Sequence, residues 1–65
     1  MEVAVTIPGG DSTTVEVDGG TYGDVIEAAG LSVMEAVALV DGRPVPEDAP
    51  VDAAEVTVMR LIHGG

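Results

Sequence analysis

Three stretches of this chain, Glu2 to Ile7, Ser12 to Val17 and Glu55 to Leu61, alternate apolar and polar residues with a period of two, the pattern of a strand buried on one face. In the first, Val3, Val5 and Ile7 share a face and Glu2, Ala4 and Thr6 share the other. In the second, Val15 and Val17 point inward. In the third, Val56 and Val58 oppose Thr57, Met59 and Leu61. Valine supplies most of these positions, and its β-branched side chain suits a pleated surface. Pro8-Gly9-Gly10-Asp11 carries turn chemistry between the first two runs, which predicts a hairpin.

The period changes after Asp18-Gly19-Gly20. Tyr22, Val25, Ile26 and Ala29 recur at helical spacing, behind an N-cap residue, Thr21, with Asp24 in the first turn. Gly30 suits the left-handed position that closes a helix, with Leu31 packing back. A helix of about two turns containing Gly23 cannot stand alone, so it must lie on the sheet. Ser32 to Glu35 repeats a cap pattern as a single turn, and Ala36 to Val40 is an apolar run. Asp41-Gly42 then predicts a type I′ hairpin into Arg43-Pro44-Val45, with Pro44 confining that return strand to an edge. Pro46 to Asp52 reads as loop. The order β-β-α-β-β-β gives an α+β roll, a mixed sheet with the helix across one face and the last strand parallel to the first. Residues 1–61 are expected to form this single domain, and residues 62–65 a flexible tail.

The chain has 65 residues and no cysteine, so neither a disulfide nor a thiolate metal site can staple its small core. His63 is the single histidine and cannot build a metal site unaided, so no metal is expected. Twelve acidic residues face two basic ones, Arg43 and Arg60, for a net charge of −10, and lysine is absent. Direct nucleic-acid binding and attachment to an anionic membrane both need clustered cations and are not expected. No run is apolar enough to span a membrane, and the reading is of a cytoplasmic monomer. The acid excess without lysine suggests a very salty cytoplasm. The fold is expected to melt or expand at low ionic strength, where the charges are unscreened. Unchanged circular dichroism between molar and millimolar salt would count against this.

Gly64-Gly65 at the end of a chain of this pattern is the most specific feature. With Val40-Asp41-Gly42-Arg43-Pro44-Val45-Pro46-Glu47-Asp48 and Arg60-Leu61-Ile62-His63-Gly64-Gly65, the chain resembles the ubiquitin-like β-grasp modifiers, in particular the shorter haloarchaeal type of small archaeal modifier protein, relatives of the ThiS and MoaD sulfur carriers. The resemblance implies a C-terminal carboxylate, on Gly65, that is adenylated by a ubiquitin-activating-like enzyme using ATP. It is then joined to target-protein lysines by an isopeptide bond, or converted to a thiocarboxylate for the sulfur-transfer machinery of tRNA thiolation. Two other readings stand beside it: a dedicated sulfur carrier for molybdopterin or thiamine synthesis, and a β-grasp interaction module that is never conjugated.

The residues fit the chemistry. Gly64 and Gly65 lack a β-carbon and can thread a narrow channel. Four extended residues reach on the order of 13 Å, enough to keep the globular body outside an active site. Sulfur can be carried only on the terminal carbonyl, and a thioester stage needs a cysteine of the partner. No nucleophile, triad or phosphate loop marks the chain as an enzyme, and no bound cofactor is expected. Ile62 and His63 belong to the segment the activating enzyme holds, although His63 reads equally as an exposed spacer. Arg60 can meet an acidic groove on the partner or pair with a surface glutamate. Val37, Leu39, Met59 and Leu61 are expected on the sheet face away from the helix, as a docking patch. Without lysine, only the Met1 amine could accept a second copy.

Overall fold

The computed structural model describes residues 1–61; the predicted tail, Ile62, His63, Gly64 and Gly65, lies outside the described residues. Strands β1 (Glu2–Thr6) and β2 (Thr13–Glu16) precede helix α1 (Tyr22–Ala28), and β3 (Ala36–Val40), β4 (Arg43–Val45) and β5 (Glu55–Arg60) follow. They form a mixed sheet in the order β2-β1-β5-β3-β4, with β5 parallel to β1 and every other pairing antiparallel. This is the β-grasp arrangement expected, with Pro44 on an edge strand. The strands end a residue or so sooner than the alternation runs. After Thr6, Ile7 opens a turn closed by the Gly10 N–H on the Ile7 carbonyl at 2.9 Å, with Pro8 second and Gly9 at φ 76° third.

The alternation works as read. Val3, Val5, Val15, Val17, Val56 and Val58 are buried, with Ala36 and Ala38 of β3, beneath Tyr22, Val25 and Ile26 of the helix. Among the described residues no charged side chain is buried, and all twelve acidic residues are exposed. The helix is short but closed at both ends. Thr21 and Asp24 form a reciprocal capping box. At the other end the Gly30 N–H reaches the Glu27 carbonyl and the Leu31 N–H the Ile26 carbonyl, with Gly30 at φ 87°. That pair of bonds is the Schellman closure. The Asp41-Gly42 turn has both residues at positive φ, 54° and 79°, as a type I′ hairpin requires.

The loop from Pro46 to Asp52 holds the helix start in place. The Tyr22 N–H donates to the Ala49 carbonyl (3.1 Å) and the Gly23 N–H to the Glu47 carbonyl (2.8 Å). With the capping box, this satisfies the first helical N–H groups without water. The approach is tight at Gly23, where a β-carbon would stand 3.1 Å from the Glu47 carbonyl oxygen and that carbonyl would have to give by a few tenths of an ångström. The Tyr22 hydroxyl donates to Asp52 Oδ1 at 2.9 Å.

Two groups hold their protons more tightly in the fold than in the unfolded chain. The Met1 ammonium donates to Glu16 Oε1 (2.9 Å) and to the Val17 carbonyl (2.8 Å). The bond to Glu16 is the main cause that raises it above the ordinary 8.0. Burial, first of all, raises the Tyr22 phenol above its ordinary 10.0. In both cases the folded chain binds more protons once the unfolded value is passed, so stability falls as pH rises. The Met1 contribution is complete below pH 8.0 and the Tyr22 contribution below pH 10.0, and each is lost as its raised folded value is crossed. The melting temperature should therefore decline on the alkaline side in two stages, and Tyr22→Phe should remove the second. A melting temperature that holds level to about pH 11 would contradict both assignments.

Candidate functional site

The helix covers one face of the sheet, and the residues that alternate away from it line the other. Strand register sets who meets whom there. Val37 lies opposite Met59, and Leu39 lies between Thr57 on one side and Pro44 on the other. Cross-strand and diagonal neighbours on one face are within reach of long side chains. Val37, Leu39, Pro44 and Met59 thus form an apolar half-face over β4, β3 and β5. Val37 and Leu39 are half-buried, while Met59 is 44% exposed and Pro44 is exposed. The rest of that face, over β2, β1 and the first half of β5, is polar and acidic, with Glu2, Glu16 and Glu55 among Thr6, Thr14 and Thr57. The surface is therefore divided, apolar on one side and negative on the other.

The apolar half reaches the end of the sheet from which the tail leaves. Leu61 follows the last residue of β5, and its N–H donates to the Glu35 carbonyl at 2.7 Å, which continues the β3–β5 pairing past Arg60. By alternation Leu61 falls on the Met59 side, and it is 52% exposed. Met34, just before Glu35, is 88% exposed at the same end. Met34 is the most exposed of the large apolar side chains among the described residues.

Of the residues the sequence singled out, the structure brings Leu39, Met59 and Leu61 onto one side. It places Arg60 on the other. Arg60 pairs with the buried Ala36 and lines a cleft with Ala28, Ala29 and Leu31 at the C-terminal end of the helix. Among the described residues neither arginine lies within ion-pair distance of a carboxylate; the one ion pair there joins the Met1 ammonium to Glu16. Ile62, His63, Gly64 and Gly65 lie outside the described residues. Sequence reasoning missed two members of the surface. Pro44 follows from the register of a two-residue hairpin, which sets it opposite Leu39. Met34 lies in the Ser32–Glu35 turn, where no periodicity points to a face.

The sequence model for small archaeal modifier protein 2 matches residues 1–62. Along its full length the chain is 50% identical to small archaeal modifier protein 2 of Haloferax volcanii, over 66 aligned positions that span all of both chains. The chain belongs to the small archaeal modifier protein 2 family. An uncharacterized protein of Archaeoglobus fulgidus is 34% identical over 67 positions, again covering both chains entirely. Membership in the small archaeal modifier family makes the chain a ubiquitin-like modifier. Among the described residues no helix is long and apolar enough to cross a membrane, and no cluster of side chains has the makings of a metal site.

Proposed function

We propose that this small archaeal modifier works in the cytoplasm through the carboxylate of Gly65, as a protein tag and as a sulfur carrier. A carboxylate oxygen attacks the α-phosphorus of ATP on an activating enzyme, and pyrophosphate leaves. The acyl adenylate is then open to a target-protein lysine, which displaces AMP and forms an isopeptide bond. Hydrosulfide instead displaces AMP to form a thiocarboxylate, which serves tRNA thiolation. The modifier is the substrate of these steps and not their catalyst. Family membership over the whole chain is the observation that carries the reading.

The structure supports the division of labour. Leu39, Met59 and Leu61, with Val37, Pro44 and Met34, offer the activating enzyme an apolar surface at the end of the sheet where the tail starts. Its depleted charge is what the centre of an interface requires. Gly64 and Gly65 enter the active site, and Ile62 and His63 span the gap. Arg60, on the helix side, meets an acidic part of the enzyme outside that patch.

Mass spectrometry tests the reading. N-terminally tagged protein is recovered from its own cells under denaturing conditions. The expected species are one with sulfur replacing oxygen at the terminus, and heavier adducts. Trypsin cuts after Arg60, so a modified lysine retains Leu61-Ile62-His63-Gly64-Gly65. The sulfur species without adducts would favour a dedicated sulfur carrier. Unmodified protein alone, when another activated modifier of the same cells shows its adducts, would overturn the proposal.

A further inference from the structure

The sheet has two edges, β2 and β4, and they are not equivalent. Strand β4 is three residues long. Its two-residue turn makes Val40 and Arg43 a pair that exchanges both backbone hydrogen bonds, as Ala38 and Val45 do two residues on. The residue between, Pro44, is the one whose backbone points outward, and it has no N–H to offer. Strand β4 is a closed edge.

Strand β2 is open. The Val17 N–H donates to the Met1 carbonyl at 2.9 Å and the Met1 amine to the Val17 carbonyl at 2.8 Å, so that pair exchanges both bonds. Alternation makes Val3 with Val15, and Val5 with Thr13, the next such pairs. The N–H and C=O groups of Thr14 and Glu16 then point away from β1. Nothing among the described residues pairs with them, because β2 has no other neighbour in the sheet. Beside the start of β2 lies a cleft of about 490 Å³ against the C-terminal end of α1, lined in part by Ile7, Thr13, Ala28, Ala29 and Leu31. It has room for an aliphatic side chain carried on a strand laid along β2.

Charge decides what can occupy this edge. Asp11 precedes β2, Glu16 lies in it and Asp18 follows it, with no basic residue from Glu2 through Val40; Arg60, which also lines the cleft, is the one cation among its lining residues. A second copy of the chain would bring another net −10 against these carboxylates. A strand with lysine or arginine at its ends is complementary to them.

We infer that β2 is a recognition edge, at which an extended segment of a partner protein, aliphatic at alternate positions and basic at its ends, adds a sixth strand to the sheet. Backbone hydrogen bonds to Thr14 and Glu16 hold the segment, and the cleft beside α1 selects one side chain. The edge is separated from β3 by β1 and β5, and lies on the far side of β1 from the apolar half-face. The strand edge itself is clear of that half-face, while the cleft beside it shares Arg60 with the surface proposed for the activating enzyme. The inference does not depend on the carboxylate chemistry.

The test uses the whole chain, isotope-labelled, and a synthetic peptide of alternating valine and threonine with paired lysines at both ends. The expected result is slowed amide exchange at Thr14 and Glu16, with chemical-shift changes that follow β2 and the cleft. Thr14→Pro should weaken binding about tenfold, the scale of one or two lost hydrogen bonds, while Leu39→Asp leaves it unchanged. The same peptide N-methylated at alternate backbone nitrogens keeps every charge and side chain, and should fail to bind the unaltered protein. Equal binding by the methylated peptide would overturn the inference. So would changes centred on Leu39 and Met59, or sedimentation showing that the chain alone pairs with itself through β2.

Discussion

Deleting Gly65 should abolish adenylation and leave the fold untouched. The truncated chain still ends in a carboxylate, but that carboxylate sits one residue, about 3.3–3.6 Å, short of its place. In-line attack needs the reacting atoms within roughly 3–3.5 Å, so the shortfall is as large as the tolerated distance itself. The measurement is ATP–pyrophosphate exchange with the purified activating enzyme, alongside thermal melts. Exchange should fall to background while the melting temperature stays put, because the buried core lies wholly within Val3 to Val58. Exchange that persists near its original rate would rule out Gly65 as the reacting group. The double variant Leu39→Asp, Met59→Asp provides the contrast. It keeps the tail and should raise KM for the modifier roughly tenfold or more, the scale of losing a central apolar contact. If neither change alters exchange, the half-face is not the docking surface.

Ile26→Ala should remove a large share of the domain's stability. Ile26 is 1% exposed and is the largest of the fully buried side chains, on the helix where it meets the sheet. Truncating a buried isoleucine to alanine costs about 2–5 kcal/mol, from lost transfer energy and the cavity left behind. A chain this small has a total of roughly 3–10 kcal/mol, with no disulfide to limit the loss. The melting temperature should drop by roughly 10–30 °C, at about 4–8 °C for each kcal/mol. Tyr22 is the one aromatic residue and is buried with a hydrogen bond to Asp52, so its fluorescence reports the transition directly. A drop of less than about 5 °C would mean that the helix contributes little to the core. The same experiment on Gly23→Ala probes the close approach at the helix start. There the new methyl group must displace the Glu47 carbonyl that accepts the Gly23 N–H.

Two features of the structure go beyond what the sequence reading said. Arg60 alternates with Met59 along β5, so the period of two already sets them on opposite faces. What the period does not say is which face the helix takes at the end of a strand, where burial fades and both residues are exposed. The Pro46–Asp52 loop reads as a connection because its residues have turn chemistry. Its role as the acceptor of the first helical N–H groups appears only when the chain returns beside Gly20, Tyr22 and Gly23.

Local geometry accounts for what the sequence alone determined. The strands, the capped helix, the type I′ turn at Asp41-Gly42 and the edge position of Pro44 each follow from backbone preferences and side-chain periods within a few residues. The absence of lysine and cysteine, and the closing Gly64-Gly65, are matters of composition and need no fold. The tertiary structure alone decided the rest: the places of Pro44 and Met34 beside the expected Val37, Leu39, Met59 and Leu61, the cleft that Arg60 shares with the end of the helix, and the outward-facing groups of Thr14 and Glu16. Each depends on the register between strands distant in sequence and on which strands have two neighbours. A one-residue slip in that register would reverse every face, and what holds it is the burial of Val3, Val5, Val56 and Val58 together beneath Ile26.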